Sequence, residues 1–388
     1  MKHKKLCIYI YIILSFFEIY INGLVGNIGK YIVIGITACL LLQKLKYTDS
    51  FSASLILVLW LSFKTLSVLW AENISAGISI LEWSFFNHYM TILLVIAISL
   101  NTYSENDVVS ICKFMMYMSF FMGMLTVLFA KPYHGTFINR LTLTILGVQM
   151  DPNELGCLLI YGIIFAILNM DYNHSIQYLV FSLINIIAIF YTSSRGTMLS
   201  LLVLSVFMIA ARIKSKEMTC VGDREKSKIT YKIIAISIIV IIMYNNAKTI
   251  IPMGNIYRVL NFETYKGGSG REDLWRDALA AIHENPIIGK GWGGSLIFVH
   301  NTYINMVLDV GIIGFSIFIL FFLFIAYIAR KKNRYEIIVV MLTGMIPSFF
   351  LEGLTKKYFW NGIIMAIIML NREYNEGQKL DIYYKSKS

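Results

Sequence analysis

Three residues in this chain have side chains and surroundings suited to chemistry on an anionic substrate. His300, one of six histidines, stands in "FVHNTYINMVLDVGIIG" (298–314), where a polar stretch gives way to an apolar run. An imidazole with an ordinary pKa of about 6.5 is a neutral base near pH 7. The plainer reading is an interfacial histidine hydrogen-bonded to backbone. Arg271 opens the helix pattern in "GGSGREDLWRDALAAIHENPIIGKGWGG" (267–294). A helix start carries a partial positive charge and favours anions, so an arginine there is unusual. A helix N-terminus beside a guanidinium makes a phosphate-binding corner, and a solvated surface arginine is the alternative. Arg195, in "YTSSRGTMLS", either reaches lipid headgroups or holds an anion. "QMDPNELG" (149–156) adds Asp151, Asn153 and Glu154. There Pro152 suits a first helical turn, and helix capping by Asp151 is the simplest role.

Several chemistries are missing their usual residues. No Asp-x-Asp pair occurs, so the metal–diphosphate grip of soluble sugar-nucleotide transferases is absent. There is no P-loop, no Gly-x-Ser-x-Gly and no His-Glu-x-x-His. The five cysteines (Cys7, Cys39, Cys112, Cys157, Cys220) have neither metal-ligand nor disulfide-framework spacing. The expectation is acid/base chemistry with no metal and no cofactor.

The elements that position these residues must sit in lipid. Of 388 residues, 57% are hydrophobic and only 15% charged, against about 25% charged in a soluble domain. The chain reads as all-α, a single polytopic transmembrane bundle over 1–388. Apolar runs of about 17–25 residues can cross the hydrocarbon core as helices. About twelve are expected, near 6–22, 25–42, 51–70, 82–100, 108–130, 154–170, 176–192, 197–213, 230–245, 302–329, 335–353 and 357–371. The short stretch 137–149 is expected to be re-entrant or interfacial. "MKHKKLCIYIYIILSFFEIYI" resembles a signal peptide without a cleavage site and reads as a retained first span.

Lysine and arginine gather on the cytoplasmic side of membrane proteins. Placing the N-terminus inside puts "MKHKK", "QKLK", "RIKSKEMTCVGDREKSK", "ARKKNR" and the tail "REYNEGQKLDIYYKSKS" in the cytoplasm, and both ends with them. That placement explains much of the net charge of +11 without a nucleic-acid partner. The large polar loop, about 246–300, then lies outside and is where function should concentrate. Within it, Ser269 and Glu272 form a capping box. Leu274, Trp275, Ala278, Leu279 and Ile282 make one apolar face of a short amphipathic helix, about 271–284. Asn285-Pro286 stops that helix, and Gly289, Gly291, Gly293 and Gly294 read as a flexible turn. Lys64, Glu82, Lys113 and Asp309 are ionisable groups in or near spans, each costing on the order of 2.5–3.5 kcal/mol in lipid. Lys64 is expected to snorkel and Asp309 to face the bundle interior.

The run "GREDLWRDALAAIHENPIIGKGWGG…HNTYINMVLDVGIIG" closely resembles the signature loop of the O-antigen ligase/polymerase superfamily. That pattern is Gly-Arg-x-x-x-Trp, a helix, Asn-Pro-x-x-Gly-x-Gly, then His-Asn-x-Tyr and an acidic-x-Gly-x-x-Gly start to the next span. "TSSRG" and "DPNELG" resemble its Ser-Arg turn and its Asp-Pro-Asn segment. The specific motifs lie between about 149 and 314, inside a ligase-like core at 154–371. The resemblance implies a bacterial plasma-membrane glycosyltransferase that joins glycan carried on undecaprenyl diphosphate to an acceptor sugar hydroxyl. It makes His300 the general base and places Arg271 and Arg195 on the diphosphate. Asn301, Asn153, Asp151, Arg276 and Asp309 are expected to support them. The implied partners are the lipid-linked oligosaccharide, the acceptor glycan, the bilayer and a chain-length regulator. The loop is short for a specificity subdomain, and the tail is short and basic.

A surface-polysaccharide polymerase is the leading expectation, and a ligase transferring finished glycan to a lipid core or protein is the nearest alternative. A lipid-linked glycan flippase would need repeats and broken helices at midmembrane, and no internal repeat is visible. A purely structural membrane partner would not explain cations and a histidine grouped on one face.

Overall fold

The structure, a computed structural model, describes residues 2–134, 140–169, 175–216, 271–295 and 299–373. Its helices are α1 (Lys2–Val25), α2 (Ile28–Leu41), α3 (Asp49–Leu66), α4 (Ile74–Ser84), α5 (Met90–Ser99), α6 (Glu105–Phe129), α7 (Pro152–Leu168), α8 (Ser175–Thr192), α9 (Arg195–Lys216), α10 (Arg271–Glu284), α11 (Thr302–Lys331), α12 (Tyr335–Met345) and α13 (Lys357–Leu370). Short 3-10 turns, Ser67–Trp70 and Ile346–Phe349, follow α3 and α12.

Apolar helices occupy eleven of the twelve expected stretches among the described residues, and 230–245 lies outside them. Four are long and apolar enough to cross a membrane, or five if the bent pair α4–α5 is one span. That pair starts at Ile74 rather than near 82, because a π turn over Phe85–Tyr89 joins two segments bent by 55°. The other six apolar helices offer shorter segments of 10–17 residues, Ile176–Thr192 within α8 and Arg195–Ala211 within α9 among them. Two of these short helices, α7 and α13, are buried along nearly their whole length. Being apolar on every side, they suit the centre of a bundle. Small residues let helices approach there: a Cβ on Gly362 would meet the backbone of Met341 and Gly344 at 3.0 Å.

The all-α expectation needs one correction. The stretch 137–149, read as re-entrant or interfacial, supplies two strands, β2 (Leu141–Ile145) and β3 (Val148–Gln149), of a three-stranded antiparallel sheet whose third strand, β1 (Ala130–Pro132), follows α6 directly. Leu146 and Gly147 both have positive φ (50° and 84°), and Ile145 pairs with Val148. Two such residues make the tight turn whose twist matches a hairpin. The α1 residue Tyr20 donates to the Leu143 carbonyl at 2.9 Å, tying the sheet to the bundle.

The bundle has two unlike ends. At one, basic residues form ion pairs: Lys5 with Asp107 at 3.2 Å, Lys332 with Asp49 at 3.1 Å, and Lys46 with Glu373. At the other, α7, α9, α11 and α13 begin, and the sheet and α10 lie there.

Lys64 corrects a second expectation. It does not snorkel but is 3% exposed, with its ammonium 3.6 Å from Asp309 of α11 and 4.4 Å from the centre of the Trp292 ring. A buried ammonium is tolerable when a carboxylate and an aromatic face replace its water. Asp309 faces the interior as expected.

Candidate functional site

The site is built from helix starts. Asp151 caps α7, its Oδ1 accepting from the Asn153 and Glu154 amides at 2.8 and 3.3 Å, with Pro152 in the first turn. Asn301 caps α11 in the same way, accepting from Tyr303 and Ile304 at 3.0 and 3.1 Å. Ser194 precedes α9, and its hydroxyl lies 2.7 Å from that of Thr197. Arg195 is the first residue of α9 and Arg271 the first of α10. Each start leaves backbone N–H groups directed beyond the helix, so the ends add positive potential.

One turn links these starts. Arg271 Nη1 donates to the Phe350 carbonyl at 2.7 Å. A Cβ on Gly196 would lie 2.8 Å from Phe350 Cβ, so the start of α9 packs on the same residue. The Thr302 hydroxyl donates to the Leu351 carbonyl at 2.9 Å and accepts from the Gly353 amide at 2.7 Å. Asn305 holds the residue before His300 from both sides, accepting from the Val299 amide at 3.0 Å and donating to its carbonyl at 2.5 Å. The Asn305 amide also donates to Glu352 at 2.9 Å. Residues 350–353 thus brace Arg271, the start of α9 and the backbone flanking His300 at once.

The charges act on one another. Burial lowers the pKa of Arg271 first, the Arg195 charge lowers it further, and Asp151 opposes both. Burial likewise lowers the pKa of His300, helped by Arg271 and opposed by Asp151. Arg195, Arg271, His300 and Asp151 therefore lie within electrostatic reach at one end of the bundle. His300 is biased toward the neutral form in which imidazole accepts a proton. Two arginines within electrostatic reach of each other, close to helix starts, give this end of the bundle a positive potential that favours an anion.

Not every expected residue joins. Arg276 is solvent-exposed and pairs with Asp273 at 3.4 Å, because it lies on the outer face of α10. Asp309 is drawn to Lys64 instead. Asn301 acts as a helix cap. Asn153 joins through Arg140, whose Nη2 donates to Asn153 Oδ1 at 2.7 Å. The sequence reading missed Arg140, Lys356, Glu352 and Asn305. Lys356 pairs with Glu154 at 2.8 Å; burial lowers the lysine pKa, but Glu154 together with Asp151 and Glu18 raises it on balance. Asn305 alone had a local signal, four residues after the cap Asn301 on the same helix face.

Helix α10 spans the residues expected and stops before Asn285-Pro286. The Ser269 half of the expected capping box lies outside the described residues. The inner face of α10 is Trp275, Ala278, Ala281 and Ile282, packed with Val299 and Leu308; Leu279 is 56% exposed and points away. The glycine turn is not free but wedged. Gly289, Gly291 and Gly293 have positive φ (70°, 82° and 74°), and a Cβ on Gly291 would meet the Ala71 backbone. Helix α11 breaks at Gly311 (φ 61°, ψ −169°), and the 286–290 segment enters the break. Lys290 N–H donates to the Leu308 carbonyl at 2.8 Å, and Ile312 N–H donates to that of Pro286 at 2.9 Å. Backbone freed by the break is satisfied by the inserted turn segment, the condition for irregular chain within a membrane bundle.

No match to the chain is found among curated proteins. Residues 180–319 match the family model described as O-antigen ligase. That interval contains Arg195, Arg271 and His300 and ends beyond the break at Gly311. The match, over 180–319 of the chain's 388 residues, supports a likeness to the O-antigen ligase-like superfamily and suggests a membrane enzyme of the ligase/polymerase type.

Proposed function

We propose that the protein is a plasma-membrane glycosyltransferase that joins a glycan carried on undecaprenyl diphosphate to an acceptor sugar hydroxyl. The observation that carries this reading is the grouping of Arg195 and Arg271 at two helix starts with the exposed His300, whose imidazole pKa is lowered. His300 takes the proton from the acceptor hydroxyl as its oxygen attacks the anomeric carbon. The bond from that carbon to the diphosphate oxygen breaks, and the leaving diphosphate keeps the electron pair. The two guanidinium groups and the helix starts stabilise its growing charge. Single displacement inverts the anomeric centre.

Sidedness is inferred from the basic segments of the sequence: the end that carries Lys5, Lys46 and Lys332 is assigned to the cytoplasm and the site to the outside, with both termini inside. A site at one end of the bundle, rather than at its middle, favours transfer chemistry over transport. Lengthening of a surface polysaccharide is the preferred reaction. Transfer of finished glycan to a lipid core is the second reading, favoured by the description of the matching family model.

The test is turnover by purified protein in proteoliposomes given a lipid-diphosphate-linked repeat unit. With that substrate alone, products of increasing length identify a polymerase. A single transfer, only when lipid core is added, identifies a ligase. Turnover should persist in excess chelator and yield the inverted linkage. Retention of configuration, or a requirement for added divalent metal, would overturn the mechanism.

A further inference from the structure

The geometry points to Arg140 as the positioning residue that holds Arg195 in its working place. Arg140 is 6% exposed and sits beside the sheet, far in sequence from either arginine of the site. Its Nε donates to the Thr192 carbonyl, the last of α8, at 3.1 Å. Its Nη2 donates to Asn153 Oδ1, in the first turn of α7, at 2.7 Å. The same Asn153 oxygen accepts from the Ser194 hydroxyl at 2.9 Å. One guanidinium therefore grips the residue before the Ser193–Ser194 turn directly and the residue after Ser193 through Asn153. Between these two holds, Ser193 has φ 51°, a conformation that non-glycine residues adopt at a cost and keep only when their surroundings enforce it. Arg195 follows at once, so the direction in which α9 starts is fixed by this brace.

The chemistry of the brace requires arginine. A lysine is a point charge on a flexible stem and cannot donate in two fixed directions. Arg140 thus acts on an anionic substrate through Arg195, not as a third cation in contact with it. This inference rests on the reading of Arg195 as a diphosphate-binding group.

The test is titration of inorganic pyrophosphate into the full-length protein in detergent, with the thermal unfolding midpoint followed in parallel. Arg195→Gln, Arg140→Gln, Arg140→Lys and the Arg140→Gln/Arg195→Gln double variant are compared with wild type. Arg140→Gln should weaken binding about tenfold, the scale of one lost charge-assisted hydrogen bond, and Arg140→Lys should do equally badly. The double variant should bind no more weakly than Arg195→Gln alone, because groups acting as one unit are not additive. Additive losses, or full binding by Arg140→Lys, would overturn the positioning role and make Arg140 a direct cation. Unchanged binding in Arg140→Gln while Arg195→Gln is impaired would overturn this inference and leave the proposed function standing. Wild-type binding that is insensitive to Arg195 would overturn the proposed function itself. Should Arg140→Gln fail to accumulate, Ser194→Ala cuts the brace on the Arg195 side and is expected to give the same loss. Normal binding there would equally overturn the inference.

Discussion

The stretch 271–314 contains two regions that read alike in sequence and work differently in the fold. Its edges, Arg271 and His300, are charged or titratable groups at helix starts, braced by the 350–353 turn and acting on each other electrostatically. Its middle, Asn285 to Gly294 with Gly311, has no role in the charge cluster. It is backbone fitted into backbone, with Ile312 and Ile313 donating to the carbonyls of Pro286 and Ile287. A signature pattern therefore mixes two kinds of constraint: the edges place charge, and the middle fixes where those edges stand. The largest expected effect tests the edge. His300→Ala should lower turnover by about 10²–10⁴, the usual contribution of a general base, with no change in the amount of folded protein in the membrane. Turnover within a few-fold of wild type would remove His300 from the chemistry.

The middle should fail in the opposite way. In Gly311→Ala the new Cβ would fall on the Ile287 carbonyl and the Gly289 amide, and the residue would have to hold φ 61°. Overpacking costs about 1–3 kcal/mol, and a non-glycine residue in a sparsely populated conformation costs on the order of 1–3 kcal/mol more. The expected result is less folded protein, by unfolding midpoint and membrane yield, with turnover per folded molecule far less affected. If Gly311→Ala folded normally but lost turnover, the division between edge and middle would be wrong.

How much of this was legible in sequence depends on the range of the interaction. Apolar runs announced the helices because burying a helix in lipid or in a bundle is a property of consecutive residues. Asp151 with Pro152 and the Asn285-Pro286 stop were legible for the same reason, since caps and stops are settled within one turn. What was not legible pairs residues far apart. Arg140 meets Thr192 and Asn153, Lys356 meets Glu154, and Asn305 meets Glu352. Nothing near any of them in sequence marks the partner. Lys64 was misread because a lysine in an apolar helix has two ways out, toward water or toward a carboxylate. The choice depended on Asp309, on a helix more than two hundred residues later. The glycines of 289–294 were misread as flexible because glycine serves loose turns and tight ones equally. Only the neighbouring backbone tells them apart.

A smaller effect sharpens the electrostatic part of the comparison. Arg271→Lys should lower the specificity constant for the lipid-linked donor roughly ten- to hundredfold, the range for a lost charge-assisted hydrogen bond of about 1.5–3 kcal/mol. Arg271→Gln adds a pH signature. Burial and Arg271 both hold the His300 pKa below its ordinary value of about 6.5. A base must be neutral to act, so wild-type activity should persist below that pH and fall off on its acid side. Removing the Arg271 charge makes protonation of His300 easier, raises its pKa and moves the acid limb to higher pH. A shift to lower pH, or none, would show that the two groups do not share a site.

The smallest effect is a deliberate contrast on the same helix. Arg276 shares α10 with Arg271, five residues further along, and is expected from sequence only to support the two diphosphate-binding arginines. Its side chain is 76% exposed and its ion pair with Asp273 is a surface pair at three-residue spacing. Such pairs contribute about 0–1 kcal/mol, and exposed substitutions change stability by about 0.5 kcal/mol or less. Arg276→Ala should leave pyrophosphate binding, donor specificity and the pH profile as they are in wild type. A loss approaching that of Arg271→Lys would mean that the outer face of α10 also meets substrate. The site would then extend over that helix rather than ending at its first turn.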